Sequence, residues 1–267
     1  MPSSELINTI LKEAAQAPSF LKEVYGDLAK PGVTEVGKAL GTILGLGNTI
    51  LWRIAILNGK TRLVVERNLE KYRQECEKIP EEKVADVPPE IGVPIIEKLT
   101  YVSNDDLSDL YINLLAKASS LDYAHTAHPS FVNIITNLSP DEAILLQHIK
   151  GRVPFVEPRR KMKTVNEWQE LPPGIFTDLE SRANLSYQEN IGAYMSNFEG
   201  CGLIKVRRDI VIAFPRAYEN IERAYRERYE SMIQSRPGLQ LVFSRGQLEM
   251  TSFGELFAAA CFTKIMK

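Results

Sequence analysis

Cysteine and histidine are scarce in these 267 residues, three of each. Cys76, Cys201 and Cys261 lie far apart and form no CxxC pair. That argues against a disulfide framework or a thiolate zinc site and suits buried thiols in a reducing cytoplasm. An excess of charge of one sign is also missing. The formal net charge is −2, with 14 Lys+Arg against 18 Asp+Glu before Ser139 and 18 against 16 from there on. Neither part is basic enough to announce nucleic acid as a partner. The start, MPSSELINTILKEAAQAP, has no basic stretch followed by an apolar run, so no secretion signal is expected. Catalytic constellations are lacking too. There is no GxSxG elbow, and GLGNTI has neither the GK[ST] ending nor the preceding strand of a phosphate loop. Cys201 stands between glycines with no histidine near it in sequence. His125 and His128, with Asp122 nearby, lack a third histidine or cysteine to complete a metal site. The expectation is a non-enzymatic chain with no cofactor and no metal.

Helix signals fill the first half. In TRLVVERNLEKYRQECEKI, Val65, Leu69, Tyr72, Cys76 and Ile79 recur at helical spacing behind a charged outer face. PEEKVADVPPEIGVP is expected to be an extended surface connection. Ser103 is the expected cap of NDDLSDLYINLLAKASSL. In LSPDEAILL, Ser139, Pro140 and Glu142 spell a capping box with proline at the first helical position. Residues 151–174 read as irregular, with one short hairpin. FTDLESRANL and SYQENIGAYMSNFEG then form a helix pair ended by Gly200 and Gly202. LIKVRRDIVIAF alternates like strands. PRAYENIERAYRERYESMIQSR is an arginine-rich helix with Tyr218, Ile221, Tyr225, Tyr229 and Ile233 as its inner edge. LQLVFSRGQLEMT reads as a β-hairpin turning at Ser244-Arg245-Gly246, and a helix boxed by Ser252 and Glu255 closes the chain.

These elements predict a mainly α fold with a minor β component. Residues 1–138 would be a helical region holding a glycine-ridged apolar hairpin. Residues 139–267 would be a winged-helix-like region with a helical insertion, since helix, helix, helix, β-hairpin is the order of that module.

KALGTILGLGNTILWRIAILNGK, residues 38–60, raises the question of membrane contact. It is uncharged only from Ala39 to Trp52, about 14 residues where a span needs about 20. Arg53 then interrupts it at a cost of about 2.5 kcal/mol or more at mid-bilayer. Gly37, Gly41 and Gly45 lie four apart and form a ridge on which another helix can pack closely. The leading reading is a buried hairpin helix, with peripheral membrane contact or an oligomer contact as alternatives.

Several stretches together resemble the abortive infection alpha family of bacterial proteins. They are KALGTILGLGNTILWRIAILNGK, NLEKYRQECEKIPEEKVADVPPEIGVPIIEKLTY, LSDLYINLLAKAS, HPSFVNIITNLSPDEAILL and LEMTSFGELFAAAC. The run from His128, Pro129, Ser130 and Phe131 to Pro140 is the most specific of them. The resemblance implies defence against bacteriophage and supplies no mechanism. The expected function is therefore that of a cytoplasmic sensor or effector, membrane-associated on activation in one version, working through macromolecular contact. A protein partner or homo-oligomer is the first expectation. A membrane-perturbing toxin and a winged-helix nucleic-acid binder are the alternatives. Arg159, Arg160, Lys161 and Lys163, with Lys205, Arg207 and Arg208, are the candidate anion contacts. Against nucleic acid stands SYQENIGAYMSNFEG, the would-be recognition helix, which carries Glu189 and Glu199 and no cation.

Overall fold

The structure is a computed structural model that describes residues 59–162, 168–171, 174–235 and 239–265. The expectations for the first 58 residues lie outside it, among them the Gly37, Gly41 and Gly45 ridge with Trp52 and Arg53, and so does Lys163. The first half of the described chain gives α1 (Gly59–Cys76), α2 (Pro89–Leu99), α3 (Asp105–Ala118) and α4 (Ser130–Thr136). The second gives α5 (Pro140–Leu146), β1 (Val153–Met162), β2 (Trp168–Glu170), α6 (Leu179–Arg182) and α7 (Ile191–Gly200). It continues through β3 (Ile204–Arg207), α8 (Pro215–Arg228), α9 (Glu230–Gln234), β4 (Leu239–Met250) and α10 (Ser252–Cys261). The protein is mainly α with a small antiparallel sheet. Two compact units divide it: residues 139–255 form one, and residues up to 138 together with those from 256 onward form the other.

In the discontinuous unit, α1 forms because apolar residues recur along one side of a charged helix. Val65, Leu69, Tyr72, Cys76 and Ile79 are all buried, none more than 7% exposed. The Asn68 amide donates to the carbonyls of Leu99 (2.9 Å) and Val102 (3.0 Å), tying α1 to the end of α2. Ser119 Oγ spends its proton on Leu115 O (2.8 Å), so the Tyr72 hydroxyl is the donor in its 2.7 Å bond to Ser119. The segment expected to be a surface connection is pinned instead. Ala85 and Val87 are buried, Ala85 N donates to Ser119 O, and α2 already starts at Pro89. Proline is at home in a first helical turn, and burial of Ile91, Ile95, Ile96 and Leu99 tolerates a second proline, Pro94, inside. The cap of α3 is Asn104, whose side chain accepts from Leu107 N, not Ser103. Phe131 of α4 meets Phe257 of α10 edge to face at 5.2 Å. The Asn113 amide caps the end of α10 by donating to Cys261 O at 2.7 Å. At the start of α10 the Thr251 hydroxyl accepts from Gly254 N (2.9 Å), so Thr251 takes the role expected of Ser252.

The second unit is built on a four-stranded antiparallel sheet in the order β2-β1-β4-β3. The short hairpin expected within residues 151–174 is the β1–β2 pair, with Arg160 opposite Gln169. The turn expected at Ser244-Arg245-Gly246 does not exist. β4 runs straight through it, pairing those three residues with Glu157, Val156 and Phe155 of β1. Gly246 marks a close approach rather than a bend. A β-carbon there would run into the Phe155 ring and lie 2.8 Å from Arg207 O. Of LIKVRRDIVIAF only Ile204–Arg207 is strand, and Val211 and Phe214 beyond it are exposed.

Helix α8 covers one face of the sheet because Tyr218, Ile221 and Tyr225 fall on one of its sides. They form a buried cluster with Val156 and Phe176, flanked by Ile212, Tyr229, Leu241 and Phe243. The Tyr225 ring meets Phe176 (5.3 Å) and Phe243 (5.6 Å) edge to face, and each such pair adds about 0.5–1.5 kcal/mol beyond area burial. The Tyr218 hydroxyl, fully buried, accepts from Ile212 N (2.8 Å) and donates to Gly246 O (3.0 Å).

Candidate functional site

The third helix of the second unit, α7, is held by side chains of α5. Ser139 and Glu142 make the expected reciprocal capping box on α5, with Pro140 in the first turn. The same Glu142 then accepts from the Asn197 amide at 2.8 Å, reaching α7 at mid-length. Its neighbour Asp141 is buried and accepts from Ser186 N (2.9 Å), Tyr187 N (2.8 Å) and the Tyr194 hydroxyl (3.1 Å). Burial alone would raise the Asp141 carboxyl, but these donors outweigh it and hold it below the usual carboxylate range. At the other end Gly202 adopts φ +72°. Leu203 N then donates to Phe198 O and Gly202 N to Glu199 O, a Schellman ending that delivers the chain into β3.

Ile191, Tyr194, Met195 and Phe198 bury one side of α7. The side and approach left to solvent present Glu189, Asn190, Ala193, Ser196 and Glu199. That face has two carboxylates and no cation.

The candidate anion contacts are brought together only in part. Arg159 and Arg208, far apart in sequence, share one buried carboxylate. Glu157, 6% exposed, accepts from Arg159 Nη2 (3.1 Å) and Arg208 Nε (2.8 Å). Arg207 turns instead to Asp209, bonding it through Nε (3.0 Å) and Nη2 (2.8 Å), and that contact holds the Asp209 carboxyl down to about 2. Lys205 is exposed and Arg160 half-buried. Lys161 pairs with Trp168 and Gln240 along the backbone. Arg245 on β4 bonds Glu222 (2.8 Å) and lies over the Tyr218 ring at 5.3 Å.

The family motif lies in the other unit. His128 Nδ1 accepts from Ser130 N at 3.2 Å, its ring lies 5.5 Å from that of Phe131, and Phe131 is fully buried. His148 bonds Ile144 O one turn back (3.0 Å). No cysteine is poised as a nucleophile. Burial pushes the thiols of Cys201 and Cys261 up and that of Cys76 to about 12, where little thiolate exists at neutral pH. Among the described residues no group of three or more His, Cys, Asp and Glu is placed to hold a metal ion.

Two clefts on the second unit have Pro154 in common. The first, ≈ 460 Å³, is lined by Gln147, His148, Lys150, Arg152, Val153, Pro154 and Arg182. The second, ≈ 270 Å³, runs between α6 and α8 over Phe176 and Ile221, and Pro154 also lines it. Lys150, Arg152 and Arg182 were not singled out from the sequence. Lys150 and Arg152 flank Gly151, at φ +61°, but Arg182 joins them only through the fold.

Among known proteins, the family described as Abortive infection alpha matches residues 64–261. No functionally curated protein matches the chain. A structure from the hydrocarbon-degrading marine bacterium Alcanivorax borkumensis SK2, described as that of an uncharacterized protein, is 18% identical over 53% of this chain and 97% of its own, with a TM-score of 0.33. The family match spans most of the described residues. The chain belongs to the abortive infection alpha family.

Proposed function

We propose that the protein serves antiphage defence by abortive infection, as a cytoplasmic sensor or effector that works through contact with another protein or a second copy rather than by making bonds. In this reading the second unit is a winged-helix module. Its chain order, α5-β1-β2-α6-α7-β3-α8-α9-β4 with strands side by side as β2-β1-β4-β3, supports that assignment once β2 is taken as an added edge strand. Helices α8 and α9 then occupy the connection that would otherwise form the wing, and α7 stands where a recognition helix would.

The observation that carries the protein-binding reading is the solvent face of α7. A helix docked in a major groove meets phosphates on both sides, where Glu189 and Glu199 would be repelled. Fold alone decides nothing, because the same module serves both kinds of partner. Cells expressing the chain should resist phage plating, and Ala193→Arg with Ser196→Arg should abolish resistance while leaving thermal unfolding unchanged. Unaltered resistance in that variant would sink the reading.

One observation favours nucleic acid instead, the pair of guanidiniums that Glu157 holds. If the unit binds DNA or RNA, affinity should fall steeply with salt, and Arg208→Ala should flatten that slope by about one. For the membrane alternative, no helix among the described residues is long and apolar enough to cross a bilayer, and the 38–60 segment lies almost wholly outside them.

A further inference from the structure

The geometry points to a ligand site in the second unit: the two adjoining clefts form one bipartite pocket for a nucleotide, phosphates in the first and base in the second. Neither the family match nor the contact reading above assigns it, and it stands or falls independently of them.

The first cleft has the chemistry of a phosphate site. None of its lining residues is acidic, while Lys150, Arg152 and Arg182 bring three cations to its rim. Arg152 is loosely ion-paired with Glu249, its Nε 3.7 Å from the carboxylate and too far for a hydrogen bond, and its side chain is 70% exposed, so donors remain for a ligand. Arg182 reaches Asp178 through Nη2, leaving its other N–H donors for a second oxyanion. Gln147 adds an amide next to these charges, and Val153 and Pro154 supply the wall. The volume, ≈ 460 Å³, falls in the range of small-molecule sites.

The second cleft has a different lining. Phe176, Ile221, Ala217 and Ala224 supply an apolar wall, and Asn220, Gln188, Asp178, Glu180 and Arg228 supply hydrogen-bonding groups around it. Such a slot suits a planar ring that buries its faces and hydrogen-bonds at its rim. The two compartments share a wall. Pro154 lines both, and Asp178 of the second is the ion-pair partner of Arg182 of the first. A ligand spanning them must therefore carry negative charge at one end and an apolar, hydrogen-bonding ring at the other. Inorganic phosphate fills only the first, and an uncharged ring only the second.

The test is titration calorimetry on the full chain with ATP, GTP, CTP and UTP, and with inorganic pyrophosphate. At least one nucleotide should bind saturably, about tenfold or more tighter than pyrophosphate. Lys150→Glu with Arg152→Glu, both at exposed positions, should weaken nucleotide and pyrophosphate alike by about tenfold or more. Ala224→Trp, which fills the second compartment from an exposed position of α8, should weaken the nucleotide and leave pyrophosphate unchanged. Absence of saturable binding by all four nucleotides would overturn the assignment, and so would affinity that both variants leave untouched. Equal affinity of wild type for pyrophosphate and nucleotide would refute the bipartite site even if a variant failed to fold.

Discussion

Asp141 gathers two backbone N–H groups and a phenol on one buried carboxylate, and its ionised form is what those donors recognise. Because its folded pKa is depressed, it contributes stability that is fully present above the unfolded value, about 3.9, and is lost as pH falls through the folded value. Asp141→Asn should therefore lower stability by about 1.5–3 kcal/mol at pH 7. The gap between variant and wild type should close as pH drops below about 4, and urea unfolding at both pH values measures it. A gap that stayed constant with pH would mean the carboxylate's charge is irrelevant. Gly246 makes a different demand, since the space its missing side chain leaves is taken by Phe155 and Arg207 O. Gly246→Ala should cost about 1–3 kcal/mol through overpacking, read as a lower urea midpoint at unchanged slope.

At the scale of elements, β4 is the sharpest case. A continuous central strand cannot absorb extra residues, whereas a hairpin turn can. Inserting four glycines after Arg245 should abolish cooperative unfolding of the second unit, and retention of a wild-type melt would restore the turn. The hairpin expectation fails here for a physical reason: Ser-Arg-Gly is ordinary turn chemistry, and only the ring of Phe155, far earlier in sequence, explains why glycine stands there. Elements that carry their own signals were legible. Helix α1 announces itself by the spacing of Val65, Leu69, Tyr72 and Cys76, and α5 by Ser139, Pro140 and Glu142. Where two signals compete locally, the reading slipped, as at Pro88-Pro89, which looks like a connection yet opens α2. The acidic solvent face of α7 could be read in advance because it is one stretch. The cation-rimmed cleft could not, because Arg182 joins Lys150 and Arg152 around it only through the fold.

At the scale of the whole molecule, the first unit is not continuous in sequence: its final part follows the entire second unit. Phe131 and Asn113 depend on partners from α10, namely Phe257 and the carbonyl of Cys261. Truncation after Thr251 should strip the first unit of that helix. Loss of the Phe257 edge contact and of a buried side chain the size of phenylalanine costs about 3–5 kcal/mol, enough to unfold a marginal unit. Hydrogen exchange should then show α1 and α3 deprotected, and continued protection there would show that α10 is dispensable.

The same discontinuity sets an order of events on the ribosome. The first unit cannot close until α10 emerges, and at about 5–20 residues per second that wait is on the order of ten seconds. A nascent chain cut short before α10 is left with an open core. The core of the first unit is thereby finished only after the whole second unit has been translated.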